Sequence, residues 1–271
     1  MLLMAPQIFF VFALTLLLGV ASATDVLGAV EFAYSGKNGP DKWGSLDPAF
    51  AACSSGNKQS PINIQKNQTV HNKLLKPLIR NYKPANSTLV NNGFNIGVRF
   101  DEYAGEVTID GKTYSLRQMH WHLPSEHHIN GEQFAAELHL VHRAADNSVA
   151  VVALLYQEED ADPVISKIMN GLNNLAKEKC KADEVAEIPL GTLDIKPLKR
   201  SSRKYYRYAG SLTTPPCSEN VTWSILGKVR SISKEQIAAL EASVNSNCKK
   251  NARPCQRLNG RKVELYDELI G

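Results

Sequence analysis

The sequence has few cysteines, no internal repeat and only one long apolar run. Five cysteines in 271 residues are too few for a small fold that relies on disulfides instead of a hydrophobic core. Basic and acidic residues nearly balance, 31 against 27, and no nucleic-acid-binding motif accompanies the net charge of +4, so we expect no nucleic-acid partner. The composition, 43% hydrophobic and 21% charged, excludes a chain that is disordered overall and allows a large core.

The long apolar run predicts a signal peptide. It covers residues 8–20 and is broken only by one Thr and one Gly. Such a run is shorter than the roughly 20 residues that cross a bilayer, and Ala-Ser-Ala at 21–23 is a small-x-small cleavage pattern. No Lys or Arg precedes the run, and a buried core helix is the alternative. We predict a signal peptide over residues 1–23, one domain over residues 24–271, and no membrane span in the mature form.

Export would carry the chain through an oxidising compartment, in which cysteines pair and asparagines are glycosylated. Three sequons support this route, and they begin at Asn67, Asn86 and Asn220. We therefore predict a glycoprotein that is secreted to the extracellular space.

Short strands between turn signals dominate the rest of the chain. The predicted strands cover residues 94–100, 106–109, 118–122, 134–142 and 149–156. The last of them is rich in Val and Leu and is predicted to be buried on both faces. Asp110-Gly111 and Asn130-Gly131 are typical of hairpin turns.

Two segments have the apolar spacing of helices. One covers residues 163–176 and has a proline in its first turn. The other covers residues 234–245, where Ser233 and Gln236 form a capping box. We interpret both apolar stripes as core.

Six basic residues cluster between 196 and 207. They are Lys196, Lys199, Arg200, Arg203, Lys204 and Arg207. A solvated face explains such a cluster, and a patch that attracts anions is the alternative.

The residues that point to chemistry lie in two of the predicted strands. Side chains alternate between the faces of a strand, so His120 and His122 point to the same side, with Gln118 beside them. Glu137 and His139 likewise share one face of a later strand, beyond an Asn-Gly turn that suits a sheet neighbour. Two imidazoles from one strand can reach one metal ion, and a third ligand then comes from the neighbouring strand.

Three neutral imidazoles with an open fourth position suit a catalytic zinc ion. Structural zinc sites are usually closed by four protein ligands, often cysteines, and the sequence has no such cysteine cluster. Metal-bound imidazoles also need acceptors that fix their tautomers, a role that Gln118 and Glu137 could fill. Surface or core histidines without a metal are the alternative. A zinc hydrolase of unrelated type is disfavoured, because no His-Glu-x-x-His motif is present.

A series of ordered motifs runs through nearly the whole chain after the signal peptide. They lie at residues 34–43, 59–64 (QSPINI), 91–93 (NNG), 118–128, 134–142, 211–217 (SLTTPPC), 221–223 and 251–254. Together they resemble the motifs of α-type carbonic anhydrases, most closely those of the plant secretory pathway. The resemblance implies an α+β fold, with a single domain dominated by a large, mainly antiparallel twisted β-sheet and a few surface helices.

The resemblance also implies an activity, the reversible hydration of CO2 to bicarbonate and a proton by a zinc-bound hydroxide. His120, His122 and His139 match the three ligands of the Zn²⁺ cofactor. Thr213 matches the residue that accepts a hydrogen bond from the hydroxide, and Glu126 matches the carboxylate that takes the proton of that threonine.

Further positions match the surroundings of the zinc ion. Gln118 and Glu137 match the hydrogen-bond partners of the zinc-bound histidines. Val141, Val151, Leu212 and Trp223 match the apolar pocket that holds CO2, and Thr214 is a further expected substrate-binding residue.

The cysteines match the family only in part. Cys53 and Cys217 stand where secreted members have a disulfide. Cys180, Cys248 and Cys255 are left over, so at least one stays a thiol or bonds another chain. A Cys248–Cys255 disulfide is one of the options.

One position departs from the family pattern. The histidine that shuttles the proton normally follows the NNG motif, and Phe94 stands there in this sequence. Phenylalanine cannot titrate, and a two-residue deletion at this point, the alternative alignment, leaves no histidine there either. We expect proton transfer to limit turnover, with His71 and His128 as weak candidates for another relay. His127 and His142 are predicted to be hydrogen-bonded structural residues.

Some relatives of this family have lost zinc ligands and serve as tuber storage or binding proteins. A carbonic anhydrase-like storage or binding protein with vestigial activity is therefore the alternative function. The plant-like resemblance also leaves delivery to the plastid stroma, through the secretory route, as the alternative location.

Overall fold

The computed structural model describes residues 32–177, 185–199, 203–242, 244 and 246–270. The predicted signal peptide, Cys180, Arg200 and Asn245 lie outside the described residues. The strands in this part of the chain are β1 (Asn63–Ile64), β2 (Val70–His71), β3 (Ile79–Tyr82), β4 (Ala85–Asn91), β5 (Ile96–Phe100), β6 (Gly105–Ile109), β7 (Lys112–His122), β8 (His128–Ile129), β9 (Glu132–Gln133), β10 (Ala136–Arg143), β11 (Val149–Glu158), β12 (Ala186–Leu193), β13 (Lys204–Ser211), β14 (Glu219–Leu226), β15 (Arg230–Ile232) and β16 (Glu264–Asp267). The α-helices are α1 (Trp43–Leu46), α2 (Ala52–Ser55), α3 (Pro163–Leu175) and α4 (Lys234–Glu241). The 3₁₀ turns cover Gly36–Asn38, Pro48–Phe50, Lys66–Gln68, Lys196–Leu198 and Ser246–Cys248.

Thirteen of the described strands form one large sheet. Its main path has the order β12-β4-β5-β7-β10-β11-β14-β13-β16-β2. Off this path, β6 pairs with β7, β3 pairs with β6, and β15 pairs with β11. Strand β11 runs parallel to β14 and β15, and β16 runs parallel to β2, while the other pairs of this sheet are antiparallel. A second sheet contains β1, β8 and β9. The predicted fold class, α+β with a large and mainly antiparallel sheet, is confirmed.

Two hairpin turns were predicted from Asp-Gly and Asn-Gly pairs, and both are present. Asp110 and Asn130 have φ angles of 51° and 52°, and the glycines that follow have 81° and 83°. These left-handed conformations are the ones that a two-residue hairpin turn requires. The first turn joins β6 to β7, and the second joins β8 to β9.

The strand predicted over residues 94–100 begins later than expected, at Ile96. The backbone N–H of Asn95 donates to the Asn92 side chain at 3.0 Å, so these residues form the turn between β4 and β5. The strand predicted over 118–122 is much longer, because its N-terminal half continues the β6–β7 hairpin back to Lys112.

The helix predicted over residues 163–176 is confirmed as α3, Pro163–Leu175. Asp162 caps it, since its carboxylate accepts hydrogen bonds from the N–H groups of Val164 and Ile165 at 2.8 and 3.1 Å. Helix α4 has the predicted capping box but ends at Glu241 instead of 245. The segment after it is rich in Ser and Asn, which compete with helical hydrogen bonding. Among the described helices, none combines the length and the hydropathy of a membrane span.

Strand β11, the Val- and Leu-rich strand, is buried on both faces over most of its length, as predicted. Val152 and Leu154 belong to one apolar cluster, which also contains the buried face of α3. The alternate residues Val151 and Ala153 belong to a second cluster on the other face. The histidine strands β7 and β10 lie directly beside β11 in the sheet order, so the centre described below is built on a rigid, central part of the sheet.

A disulfide joins Cys53 in α2 to Cys217, 164 residues later in the chain. This is the pairing that the resemblance implies. Cys248 is buried, and Cys255 is half-buried and a thiol, so the Cys248–Cys255 disulfide considered from the sequence is not formed.

Candidate metal centre

The two histidine strands are neighbours in the large sheet. Strands β7 and β10 are antiparallel, and their register places His139 opposite His120 and Glu137 opposite His122. Directly opposed side chains on one face of an antiparallel pair have Cβ atoms about 4.5–5.5 Å apart. The three imidazoles that were predicted to share one side therefore converge on a single patch of the sheet.

His120, His122 and His139 form a cluster that can hold a metal ion. One ring nitrogen from each lies within 4.8 Å of the other two. The side chains of His122 and His139 are 0% and 1% exposed, whereas His120 is half-buried. The cluster is therefore closed at its base and opens towards solvent at His120.

Hydrogen bonds on the outer side of the rings determine which nitrogen faces the centre. Nδ1–H of His120 donates to Gln118 Oε1 at 2.8 Å, and Nε2–H of His139 donates to Glu137 Oε1 at 2.9 Å. These two acceptors are the ones predicted from strand alternation. They leave the lone pairs of His120 Nε2 and His139 Nδ1 free to bind a metal ion.

The third acceptor is the backbone carbonyl of Asn251, whose contact with the histidines was not predicted. Nδ1–H of His122 donates to it at 2.7 Å, which leaves His122 Nε2 facing the centre. The Asn251 amide also donates to the carbonyl of Phe94 at 2.9 Å and accepts from the N–H of Leu123 at 2.8 Å. Asn251 is the first residue of the motif at 251–254. Because every residue has a backbone carbonyl, this hydrogen bond could not be predicted from the residue types.

Burial keeps the three imidazoles neutral. It lowers the pKa of His122 to about 4 and lowers the pKa of His139. The pKa of His120 lies well below its ordinary value, first through burial and then through the two neighbouring imidazoles. Neutral imidazole is the form that binds metal ions.

The donor set fits a zinc ion. His122 Nε2 is buried and has no hydrogen-bond partner among the described residues, as expected of an atom that points at a metal position. Three neutral nitrogens with an open fourth position are the arrangement that catalytic zinc sites use.

Glu137 connects the cluster to another buried histidine. Its Oε1 also accepts from Nδ1–H of His127 at 2.6 Å, and its Oε2 accepts the backbone N–H groups of Glu126 and His127 at 2.9 and 2.7 Å. Burial alone would raise the pKa of Glu137, but His127 and His139 outweigh burial and hold that pKa well below its ordinary value. A charged carboxylate therefore supports the ring of His139.

Glu126 lies beside the cluster and is fully buried. The backbone N–H of Arg253 donates to its Oε1 at 2.9 Å, and its Oε2 lies 3.5 Å from His122 Nε2. Burial raises the pKa of Glu126 to about 7, against the lowering effects of His139 and of the Thr213 hydroxyl. Thr213 is buried and Thr214 is half-buried, at the start of the loop that follows β13.

The loop that carries Thr213 is fastened to the N-terminal part of the chain. It also carries Cys217, whose disulfide partner is Cys53. The guanidinium of Arg253 donates to the carbonyl of Cys53 and to Gln59 Oε1, both at 2.8 Å. Arg253 therefore holds two parts of the site. Its backbone N–H holds Glu126, and its side chain holds the segment around Cys53, to which the Thr213 loop is joined by the disulfide.

An apolar wall lies next to the histidines on the same face of the sheet. The register pairs Val141 of β10 with Val151 of β11, and Val151 with Trp223 of β14. Val141 and Leu212 are half-buried and pack against the cluster that contains Val151 and Trp223. The Trp223 ring lies 4.8 Å from the ring of His139, so the wall reaches the cluster itself.

A family model of eukaryotic-type carbonic anhydrases matches residues 38–267. The chain belongs to the eukaryotic-type carbonic anhydrase family. Alpha carbonic anhydrase 7 of Arabidopsis thaliana is 41% identical to it, over an alignment that covers 97% of each chain.

Two solved structures show the same fold as this carbonic anhydrase family member. A crystal structure of dioscorin complexed with ascorbate has a TM-score of 0.85 at 37% identity and covers 89% of this chain and 100% of the other. The α-carbonic anhydrase of Thermovibrio ammonificans, in complex with the inhibitor sulfanilamide, has a TM-score of 0.77 at 34% identity and covers 87% and 99% of the two chains.

The position that departs from the carbonic anhydrase pattern is occupied by a half-buried aromatic ring. Phe94 packs against Phe32 with ring centroids 4.8 Å apart, and its carbonyl is held by Asn251. This ring cannot carry a proton between the centre and solvent.

The remaining histidines belong to other segments of the fold. His127 and His142 are buried and hydrogen-bonded to Tyr208 and Tyr82, at 2.7 and 2.9 Å, as predicted for structural residues. His71 lies in β2, at the end of the main strand order, five strands beyond β10. His128 is half-buried in β8 of the small sheet.

Replacing Gln118 by leucine should weaken zinc binding by about 10–100-fold, because His120 loses the acceptor that fixes its tautomer. Competition with a chromophoric chelator measures the zinc affinity. Gln68→Leu, at an exposed glutamine in a 3₁₀ turn, is the matched control and should leave the affinity unchanged. Equal affinities for the two variants would contradict the role given to Gln118.

Proposed function

We propose that the protein is a carbonic anhydrase that hydrates CO2 reversibly to bicarbonate and a proton at a zinc ion. His120, His122 and His139 would hold the ion. The observation that carries the proposal is the convergence of three neutral imidazoles, each with its tautomer set by an outer hydrogen bond, beside an apolar wall. Zinc bound there would lower the pKa of a bound water and so supply a strong nucleophile at neutral pH.

Thr213 and Glu126 would orient the reacting oxygen. A threonine hydroxyl that donates its proton to a buried carboxylate has only lone pairs left to offer, so it can accept a hydrogen bond but not donate one. Glu126 is buried next to Thr213, and its own position is held by the N–H of Arg253. The pair therefore selects a reacting group that can donate a hydrogen bond and points its free lone pair at the substrate.

The apolar wall would hold the substrate. CO2 carries no net charge and no dipole, so contact with Val141, Val151, Leu212 and Trp223 suits it better than polar anchoring does. The wall also excludes water from one side of the centre. Bicarbonate, which is charged, gains nothing from such a surface and leaves towards the open side at His120.

Proton release would limit the reaction, because Phe94 matches the family position at which a histidine usually relays the proton, and phenylalanine cannot titrate. We expect Phe94→His to raise CO2 hydration in weak buffer by about 5–10-fold, since a positioned histidine transfers protons efficiently near neutral pH. Stopped-flow rates measured across buffer concentrations report this effect. Phe94→Leu is the matched control, and its rate should follow that of the wild type. A Phe94→His rate equal to the control at every buffer concentration would contradict a proton bottleneck at this position.

A carbonic anhydrase-like storage or binding protein is the second candidate function. The similarity to a dioscorin structure that contains ascorbate favours keeping it. Stopped-flow CO2 hydration, with zinc content measured on the same sample, separates the two. Rapid hydration that increases with buffer and is abolished by sulfanilamide supports the enzyme. Zinc-loaded protein that binds ascorbate but does not hydrate CO2 supports the binding protein.

The proposal includes passage through the secretory pathway. The Cys53–Cys217 disulfide supports an oxidising compartment. The side chains of Asn67, Asn86 and Asn220 are all exposed, as N-glycosylation requires. Mass spectrometry of the protein from its native source, before and after removal of N-linked glycans, tests all three positions.

A further inference from the structure

Strand β7 contains a β-bulge close to the histidine cluster. Its register with β10 pairs Gln118 with Val141 and Leu116 with His142, so Arg117 has no partner in β10. A bulge of this kind inserts one extra residue into a strand, and bulges are frequent next to active sites, where they redirect a side chain. The side to which Arg117 points is therefore determined by the fold.

The burial pattern of β7 identifies that side. Leu116 and Met119 both belong to the apolar cluster on the face opposite the histidines. The two residues between them, Arg117 and Gln118, are exposed and half-buried, and neither belongs to that cluster. Gln118 lies on the histidine face, because its Oε1 accepts a hydrogen bond from His120. Arg117 therefore shares the histidine face with Gln118.

A second arginine lies on the same face, at the end of β10. Side chains alternate along a strand, so Arg143 follows His139 and Val141 on the histidine side. Its partner in β11 is Val149, which packs against the same apolar cluster as Val141. Arg143 thus lies at the outer end of the apolar wall.

The two arginines are neighbours across β7 and β10. Arg143 is paired with Ser115, which lies two residues before Arg117 in β7. Diagonal neighbours in an antiparallel pair are about 7–8 Å apart, a distance that long side chains can bridge. Both guanidinium groups can therefore contact one ligand group that lies between them.

Neither of these guanidinium groups forms an ion pair or a hydrogen bond with another described residue. The carboxylates in the next strand and in the turn after β10 have other partners. Glu106 accepts the O–H of Tyr103 at 2.6 Å, and Asp146 pairs with Lys112 at 2.5 Å. Each guanidinium carries five N–H donors in a planar fork. The outer end of the wall therefore combines an apolar surface with two cations that no described residue pairs.

We propose that Arg117 and Arg143 form a subsite that binds the carboxylate of an organic anion whose other end lies at the histidine centre. Arginine holds carboxylate oxygens through paired N–H donors. Arg117 lies three residues from His120, which is about 10 Å along the strand. Arg143 lies four residues from His139, which is about 13 Å. The apolar wall between these points would contact the carbon skeleton of the ligand.

The subsite would determine which larger ligands the centre prefers. CO2 is neutral and spans neither distance, so its hydration should not depend on the two arginines. An elongated ligand reaches them only when one end is held at the centre. The inference therefore rests on the proposed function, in which a zinc ion binds that end.

Isothermal titration calorimetry of the zinc-loaded protein with three sulfonamides tests the subsite. The probes are sulfanilamide, sulfanilamide acylated with succinic acid, which ends in a carboxylate, and the neutral terminal amide of that compound. The test variant is Arg117→Gln/Arg143→Gln. The matched control is Arg203→Gln/Arg257→Gln, which removes two exposed arginines from other segments. Circular dichroism checks the fold of both variants.

We expect the wild type and the control to bind the carboxylate probe at least about fivefold more tightly than the amide probe, because only the carboxylate gains charge-assisted hydrogen bonds. The test variant should bind the two probes equally. The preference of the wild type should shrink at high salt, since the two arginines lie at a solvent-exposed edge.

Sulfanilamide itself reports on the histidine centre, and all three proteins should bind it with the same affinity. A wild type without preference for the carboxylate, or a test variant that keeps the preference, would overturn the subsite while leaving the centre intact. A wild type that does not bind sulfanilamide would overturn the proposed centre, and the subsite with it.

Discussion

Replacing His120 by alanine should lower CO2 hydration by about 10³-fold or more and reduce the bound zinc to well below one ion per chain. Only two histidine nitrogens would then remain to bind the ion. His120 is the best of the three to replace. It is half-buried, so its loss leaves neither a buried charge nor a closed cavity, and the fold should persist. Stopped-flow hydration and elemental analysis of the same sample measure both effects.

His71→Gln is the matched control for this variant. His71 lies in β2, away from the histidine cluster, and its replacement should change neither zinc content nor rate. If His120→Ala kept more than a tenth of the wild-type rate, the proposed ligand set would be wrong.

Removing the Cys53–Cys217 disulfide should lower the free energy of unfolding by roughly 4–5 kcal/mol, because the bond closes a loop of 164 residues and restricts the unfolded chain. The variant is Cys53→Ser/Cys217→Ser, and urea unfolding measures the change. The same substitution releases the loop that carries Thr213, so we also expect slower hydration at a temperature where the variant stays folded.

Cys255→Ser is the control for the disulfide variant, because it removes a thiol and leaves the bond intact. Its unfolding midpoint should stay close to that of the wild type. A loss of less than about 1 kcal/mol on removing the disulfide would contradict the chain-entropy explanation and would mean that the core alone holds the loop ends together.

The composition of the histidine centre could be predicted from the sequence because strand alternation is a geometric rule. It placed Gln118, His120 and His122 on one face, and Glu137 and His139 on one face of another strand. It could not predict that His139 lies opposite His120. The segment between the two strands makes its own hairpin in the small sheet, so it contains no signal for the register of β7 against β10.

Features that depend on distant backbone contacts were not predictable in this way. Asn251 contacts His122 across 129 residues through a carbonyl, which every residue has. A pocket lined by Arg80 and Lys228 likewise includes part of the basic cluster, whose own sequence fits a solvated surface equally well. In both cases the information lies in tertiary packing and not in the type or spacing of neighbouring residues.

Stepwise zinc loading of the metal-free protein, followed by stopped-flow CO2 hydration, tests most directly whether these histidines form a catalytic centre. We expect the rate to rise in proportion to bound zinc, to level off at one ion per chain, and to fall to the uncatalysed rate with excess sulfanilamide. Protein that binds one zinc ion per chain but hydrates CO2 no faster than buffer alone would contradict the proposed function.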